Sequence, residues 1–174
     1  MTKVYDRVAL IGLGLIASSM FWAMKRSGLA GEVVGFARSA QTRDTARKIG
    51  LCDHVYDDIK DAVKDADLVV LCVPVGVMGA VAAEIAGSLK AGATVSDVGS
   101  VKQDVIQSVG LHLPDNVHFI PAHPLAGTEH SGPEAGFESL FKDRYWIVTP
   151  NDAPAADVDR LIGFLRGTGA IVES

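Results

Sequence analysis

The tightest constraint on this chain lies near its start, where the aliphatic run Val8-Ala9-Leu10-Ile11 passes straight into Gly12-Leu13-Gly14-Leu15-Ile16-Ala17. A strand that turns through G-x-G-x-x-A into a helix needs small residues for three separate reasons. Gly12 permits the tight turn, Gly14 lets the backbone approach a pyrophosphate, and Ala17 lets the helix close onto the strand. The unpaired N–H groups at the start of the helix then hold negative charge. A glycine pattern alone is a weak signal, because glycine-rich turns serve many folds. Its place between an N-terminal strand and an amphipathic stretch makes it specific. The segment predicts a dinucleotide site whose phosphate-facing residues are Gly12, Leu13, Gly14, Leu15, Ile16 and Ala17.

The rest of the chain repeats that theme. β-branched runs predict strands at 7–11, 32–36, 68–73, 94–97, 118–121, 145–149 and 170–173. Amphipathic stretches predict helices at 15–27, 42–49, 77–89, about 102–109 and 155–166. The run 68–73 is apolar throughout, as a strand covered on both faces must be. Strands alternating with helices imply parallel crossovers, hence an α/β, doubly wound, mostly parallel sheet of Rossmann type. The length of 174 residues predicts one domain, a dinucleotide-binding domain over 1–174. The chain stops at Ile171-Val172-Glu173-Ser174, in or just after a strand, and so reads as a domain cut from something longer.

Charge and composition exclude other classes. Sixteen Lys and Arg against 21 Asp and Glu give a formal charge of −5, without the basic stripe that nucleic acid or an anionic membrane requires. The longest apolar stretch, 8–24, is broken by Gly12, Gly14, Ser18 and Ser19 and is too short to span a bilayer. It also lacks the layout of a secretory signal. Cys52 and Cys72 have neither metal-ligand spacing nor a disulfide framework, and no metal is expected. Cys72, within an apolar run, is expected to be a small buried residue. A cytoplasmic protein follows from these absences.

The second strand bears on the cofactor. An acid for the ribose is expected about 20 residues after the glycine turn. The chain reads Gly35-Phe36-Ala37-Arg38-Ser39 there, with no acid. Arg38 and Ser39, supported by Thr42 or Arg43, suit a 2′-phosphate, so NADP is favoured over NAD. The plainer alternative is a solvated loop arginine. Val73 and Pro74 follow the third main strand at the end where such sheets keep their ligands. Pro74 either lies along the nucleoside or simply ends the strand.

Two further segments carry chemistry: Ser96-Asp97-Val98-Gly99-Ser100-Val101-Lys102 and His123-Pro124-Leu125-Ala126-Gly127-Thr128-Glu129-His130-Ser131-Gly132. Both follow expected strands, which delivers both to one rim of the sheet. Ser100 doubles as a candidate N-cap for the helix near 102, and Lys102 is expected to be a solvated helix lysine.

Together, G-L-G-L-I-A, D-V-G-S-V-K and H-P-L-A-G-T-E-H-S-G resemble the prephenate/arogenate dehydrogenase family, also called cyclohexadienyl dehydrogenases. The histidine segment is far more discriminating than the glycine turn. The resemblance runs over essentially the whole chain, which is similar to the family's nucleotide-binding part alone. It implies a following helical domain, absent here, through which the parent forms a homodimer and which supplies much of the substrate pocket.

The implied reaction is oxidative decarboxylation of prephenate or arogenate on the route to tyrosine, with hydride leaving C4 for nicotinamide. Aromatisation drives it, so the protein supplies alignment and a proton acceptor. By resemblance His123 is the catalytic base at the 4-hydroxyl, and a neutral imidazole suits that task. Ser100 orients histidine and hydroxyl, while Thr128 and Glu129 stand at the substrate-facing edge. Two other readings are a β-hydroxyacid dehydrogenase-type reductase, which leaves the histidine segment unexplained, and a dinucleotide-binding module without catalysis of its own.

Overall fold

A computed structural model describes residues 2–174. Its frame is a six-stranded sheet of β1 (Tyr5–Ile11), β2 (Ala30–Phe36), β3 (His54–Val55), β4 (Leu68–Leu71), β5 (Thr94–Asp97) and β6 (His118–Phe119). The order is β3-β2-β1-β4-β5-β6, and every neighbouring pair is parallel. The crossovers run through α1 (Leu15–Ser27), α2 (Ala40–Ile49), α3 (Ile59–Val63), α4 (Val75–Ile85) and α5 (Lys102–Gly110). The order reverses between β1 and β4, and ligands of such sheets bind in the crevice at the carboxyl ends of the strands there.

The two-residue period of β1 divides the core. Val8 and Leu10 join Met20, Phe21 and Met24 of α1 on one face, whereas Ala9 and Ile11 join Ile59, Met78 and Val81 on the other. Both sets are buried, which is why Val8–Ile11 of β1 and the whole of β4 read as unbroken apolar runs.

The last third of the chain departs from a single sheet. β7 (Ala122–Pro124), β8 (Tyr145–Val148) and β9 (Ile171–Glu173) form a separate three-stranded sheet. β7 pairs antiparallel with β8, and β8 is joined to its parallel neighbour β9 through α6 (Ala155–Gly167). One face of this sheet is covered and the other is open. Trp146 and Val148 point inward, with Trp146 against Phe141 at 4.6 Å, while Tyr145 and Ile147 are exposed.

Several sequence boundaries shift for physical reasons. The strand expected over 68–73 ends at Leu71, and Pro74 becomes the N-cap of α4, which therefore starts at Val75 rather than at 77. α4 ends at Ile85 and tightens into a 3-10 turn, Ala86–Ser88. The expected strand 118–121 divides, because Pro121 has no N–H to continue a ladder and the chain leaves the large sheet there. β3 and α3 are too short to show a period in sequence. Among the described residues no helix is long and apolar enough to cross a membrane.

Candidate dinucleotide and catalytic site

The glycine turn is built as the sequence requires. Gly12 has φ +96°, and a Cβ there would stand 2.7 Å from the carbonyl oxygen of Cys72, so only glycine fits. Its N–H donates to the Phe36 carbonyl at 2.8 Å, fixing the end of β1 against β2. Gly14 is the N-cap of α1, without a side-chain cap, and a Cβ on it would enter open space. A side chain would fill that cradle; glycine leaves the first N–H groups of α1 open to an anion. Ala17 is fully buried, as close helix packing requires, while Leu15 and Ile16 are half-buried. Leu13 is buried beneath Gly35, so only its backbone faces the turn.

From Gly12 a cavity of about 420 Å³ runs past Val73 and Pro74 to Phe36, Arg38 and Glu84. The structure thus brings together four residues that the sequence nominated from three separate segments. The Arg38 guanidinium lies 5.5 Å above the Phe36 ring and donates to Glu84 Oε1 at 2.9 Å. Ser39 caps α2, its hydroxyl accepting from the Thr42 N–H at 3.4 Å. Arg43 is unavailable as a supporting cation. It donates to the carbonyls of Ala37 and Arg38 at 2.8 and 2.9 Å and to Asp57 at 3.0 Å, and so builds the turn instead. Glu84 escaped sequence reasoning because its place is set by the packing of α4, not by β2. A cradle open at Gly14, beside a cavity that Gly12, Val73, Pro74 and Arg38 line, fits a dinucleotide.

The second half of the site is organised around Asp97, at the end of β5 and fully buried. Its carboxylate accepts from the N–H of Gly99 at 2.9 Å and of Ala122 at 3.1 Å, and it pairs with the Lys102 ammonium. Lys102 also donates to the Ala122 carbonyl at 2.6 Å. Lys102 is therefore not a solvated helix lysine. Burial draws its ammonium below the ordinary lysine range against the opposing pull of Asp97. Both backbone groups of Ala122 are thus held by one ion pair, and the next residue is His123.

His123 follows β6, as expected, and itself lies within β7, opposite Ile147 and on the open face of the small sheet. Its side chain is half-buried, and Nδ1 is buried without a hydrogen-bond partner among the described residues. Ser100 is exposed in the turn between β5 and α5. It does not cap α5, whose N-cap is Val101. Thr128 and Glu129 are exposed: the Thr128 hydroxyl accepts from the His130 N–H at 3.1 Å, and Glu129 stands 3.7 Å from the His130 ring nitrogen.

The same segment is tied back to the phosphate cradle. The Phe137 N–H donates to the Ser19 hydroxyl of α1 at 3.1 Å, and Gly136 lies so close to Ser18 that a Cβ would be 2.0 Å from its oxygen. The 3-10 turn Pro133–Ala135 packs on α1 and α2. Among the described residues, no group of three or more His, Cys, Asp or Glu side chains is placed to hold a metal.

Known proteins resemble this chain in sequence and fold. A family model described as the nucleotide-binding domain of prephenate dehydrogenase matches residues 22–174. The chain is 49% identical over 148 residues to a cyclohexadienyl dehydrogenase of Zymomonas mobilis, covering 85% of this chain and 50% of that protein. It is 33% identical over 172 residues to a prephenate dehydrogenase of Bacillus subtilis, covering 98% of this chain and 46% of the other. The chain spans about half the length of these curated relatives. Among solved structures, a prephenate dehydrogenase from A. aeolicus in complex with hydroxyphenyl propionate and NAD+ superimposes with a TM-score of 0.86 at 27% identity, covering 97% of this chain and 59% of that one. With the match running through the histidine segment as well as the sheet, the chain belongs to the prephenate dehydrogenase family, over the family's nucleotide-binding domain.

Proposed function

We propose that this chain is the dinucleotide-binding part of a cytoplasmic enzyme that oxidatively decarboxylates prephenate, arogenate or both, using a nicotinamide cofactor with NADP favoured over NAD. The observation that carries the reading is the double attachment of the His123 segment. Asp97 and Lys102 hold Ala122, the residue before it, at the rim of the large sheet, and Ser19 holds Phe137, a few residues beyond it, on the helix that opens at the glycine cradle. A base and a dinucleotide cradle secured to the same rim are what hydride transfer from a hydroxylated ring carbon requires.

When bound, the nicotinamide supplies the hydride acceptor. Gly12 and Gly14 leave backbone N–H groups for the pyrophosphate, Val73 and Pro74 line the nucleoside path, and Arg38 meets the 2′-phosphate, with Ser39 beside it. His123 takes the proton of the substrate hydroxyl. With Nδ1 enclosed, Nε2 is the nitrogen that serves. Ser100, Thr128 and Glu129 position the substrate from exposed turns.

Tyr145, Ile147 and Ile171 keep 48%, 36% and 41% of their surface exposed beside His123. That apolar face supports a longer parent in which a helical domain covers it, completes the pocket and carries the homodimer contacts.

The test is turnover by the longer parent on both cyclohexadienes with both cofactors. His123→Asn is expected to lower turnover by roughly 10²–10⁴ with cofactor binding intact. Full turnover in that variant removes His123 from the mechanism. Arg38→Ala is expected to weaken NADP+ selectively, and unchanged NADP+ affinity overturns its assignment.

A further inference from the structure

No acid stands in the turn after β2, but one reaches the same cavity from another element. Glu84 lies on α4, 46 residues from Arg38, yet its carboxylate accepts from Arg38 at 2.9 Å, and both side chains line the cavity that starts at Gly12. They are the only charged residues among those described along that cavity. The pair is open to solvent, with 66% of the Arg38 side chain and 37% of the Glu84 side chain exposed. An ion pair so exposed is weak and exchanges partners readily. Phe36 supports the guanidinium independently of Glu84, so Arg38 keeps its place when that partner is exchanged. Arg43 cannot take over, being committed to Asp57 and two carbonyls.

We propose that Glu84 sets how strongly this chain discriminates between dinucleotides with and without a 2′-phosphate, by competing with that phosphate for Arg38 and repelling it. The inference rests on the reading that Arg38 meets the 2′-phosphate. A phosphate monoester carries about −1.5 to −2 near neutral pH and outcompetes a single carboxylate for the guanidinium. Glu84 is then left unpaired beside a multiply charged anion. A dinucleotide with a free 2′-hydroxyl imposes neither penalty, because the Arg38–Glu84 pair stays closed. Glu84 therefore narrows a preference that Arg38 alone would make wide, and the mechanism acts through charge.

Calorimetric titration of the 174-residue chain with NADP+, NAD+ and adenosine 2′,5′-bisphosphate tests this in wild type, Glu84→Gln, Arg38→Ala and the double variant. Glu84→Gln is expected to tighten NADP+ and the bisphosphate about five- to tenfold at low salt while moving NAD+ less than about twofold. The gain is expected to shrink at 0.5 M salt, and most of it to vanish in the Arg38→Ala background. An unchanged NADP+ to NAD+ ratio in Glu84→Gln, with the ratio lowered by Arg38→Ala, overturns the role of Glu84 alone. An unchanged ratio in Arg38→Ala overturns the reading beneath it, and failure of wild type to bind either dinucleotide overturns both.

Discussion

The two sheets solve opposite problems. The large sheet is enclosed: Val8–Ile11 of β1 and all of β4 are buried on both faces, and these stretches carry no polar side chain. The small sheet is half open, and β8 alternates exposed Tyr145 and Ile147 with buried Trp146 and Val148. His123 is on the open side of that alternation, across from Ile147. The rigid, doubly covered sheet holds the turn that must keep one backbone geometry. The half-covered sheet presents the half-buried His123 on its open face. Between them stands one buried carboxylate, Asp97, which belongs to β5 and bonds to β7.

That joint gives the largest expected effect. Asp97→Ala strands the Gly99 and Ala122 N–H groups and leaves the Lys102 ammonium without its counter-charge, at an expected cost of about 3–5 kcal/mol in urea unfolding. A loss below about 1 kcal/mol means the small sheet does not depend on the joint. Next comes the contrast between faces. Leu10→Ala in β1 is expected to cost about 2–5 kcal/mol, and Ile147→Ala on the open side of β8 less than about 0.5 kcal/mol. Equal costs remove the distinction between the sheets.

Gly12→Ala follows, at about 1–3 kcal/mol, because it combines positive φ with a collision against the Cys72 carbonyl. Loss of dinucleotide binding should accompany it; a variant that binds normally contradicts the close approach at this turn. The smallest effect is chemical. Burial pushes the Cys52 thiol up to about 12, and desolvation also raises that of Cys72, which the fold leaves half-buried rather than buried as its apolar run suggests. Native protein at pH 8 is therefore expected to resist thiol labelling that proceeds rapidly in urea. Fast native labelling would show that the β2 side of the large sheet opens more freely than its packing implies.

Much of this was legible in the chain because it is written in local chemistry. A strand running into G-x-G-x-x-A demands the β1–α1 turn, and α1 occupies the expected 15–27. Arg38, Val73 and Pro74 could be nominated because each follows a strand, and strand ends on a parallel sheet share a rim. Lys102 differs from the solvated lysine its polar sequence neighbours suggest, because Asp97, its partner, is buried beside it at the joint between β5 and β7. Ser100 was misjudged as a cap because the helix begins one residue later than a serine cap allows.

Residues adjacent along the chain suffice to specify the glycine turn, the alternation of strands and helices, and the histidine segment, since each is a local pattern. Tertiary structure alone decided that β7, β8 and β9 form their own sheet, that Asp97 and Lys102 hold the residue before His123, and that Glu84 faces Arg38. Those pairings join residues 25, 20 and 46 positions apart at Asp97–Ala122, Lys102–Ala122 and Arg38–Glu84. No local pattern encodes such contacts, because they arise from how separate elements pack.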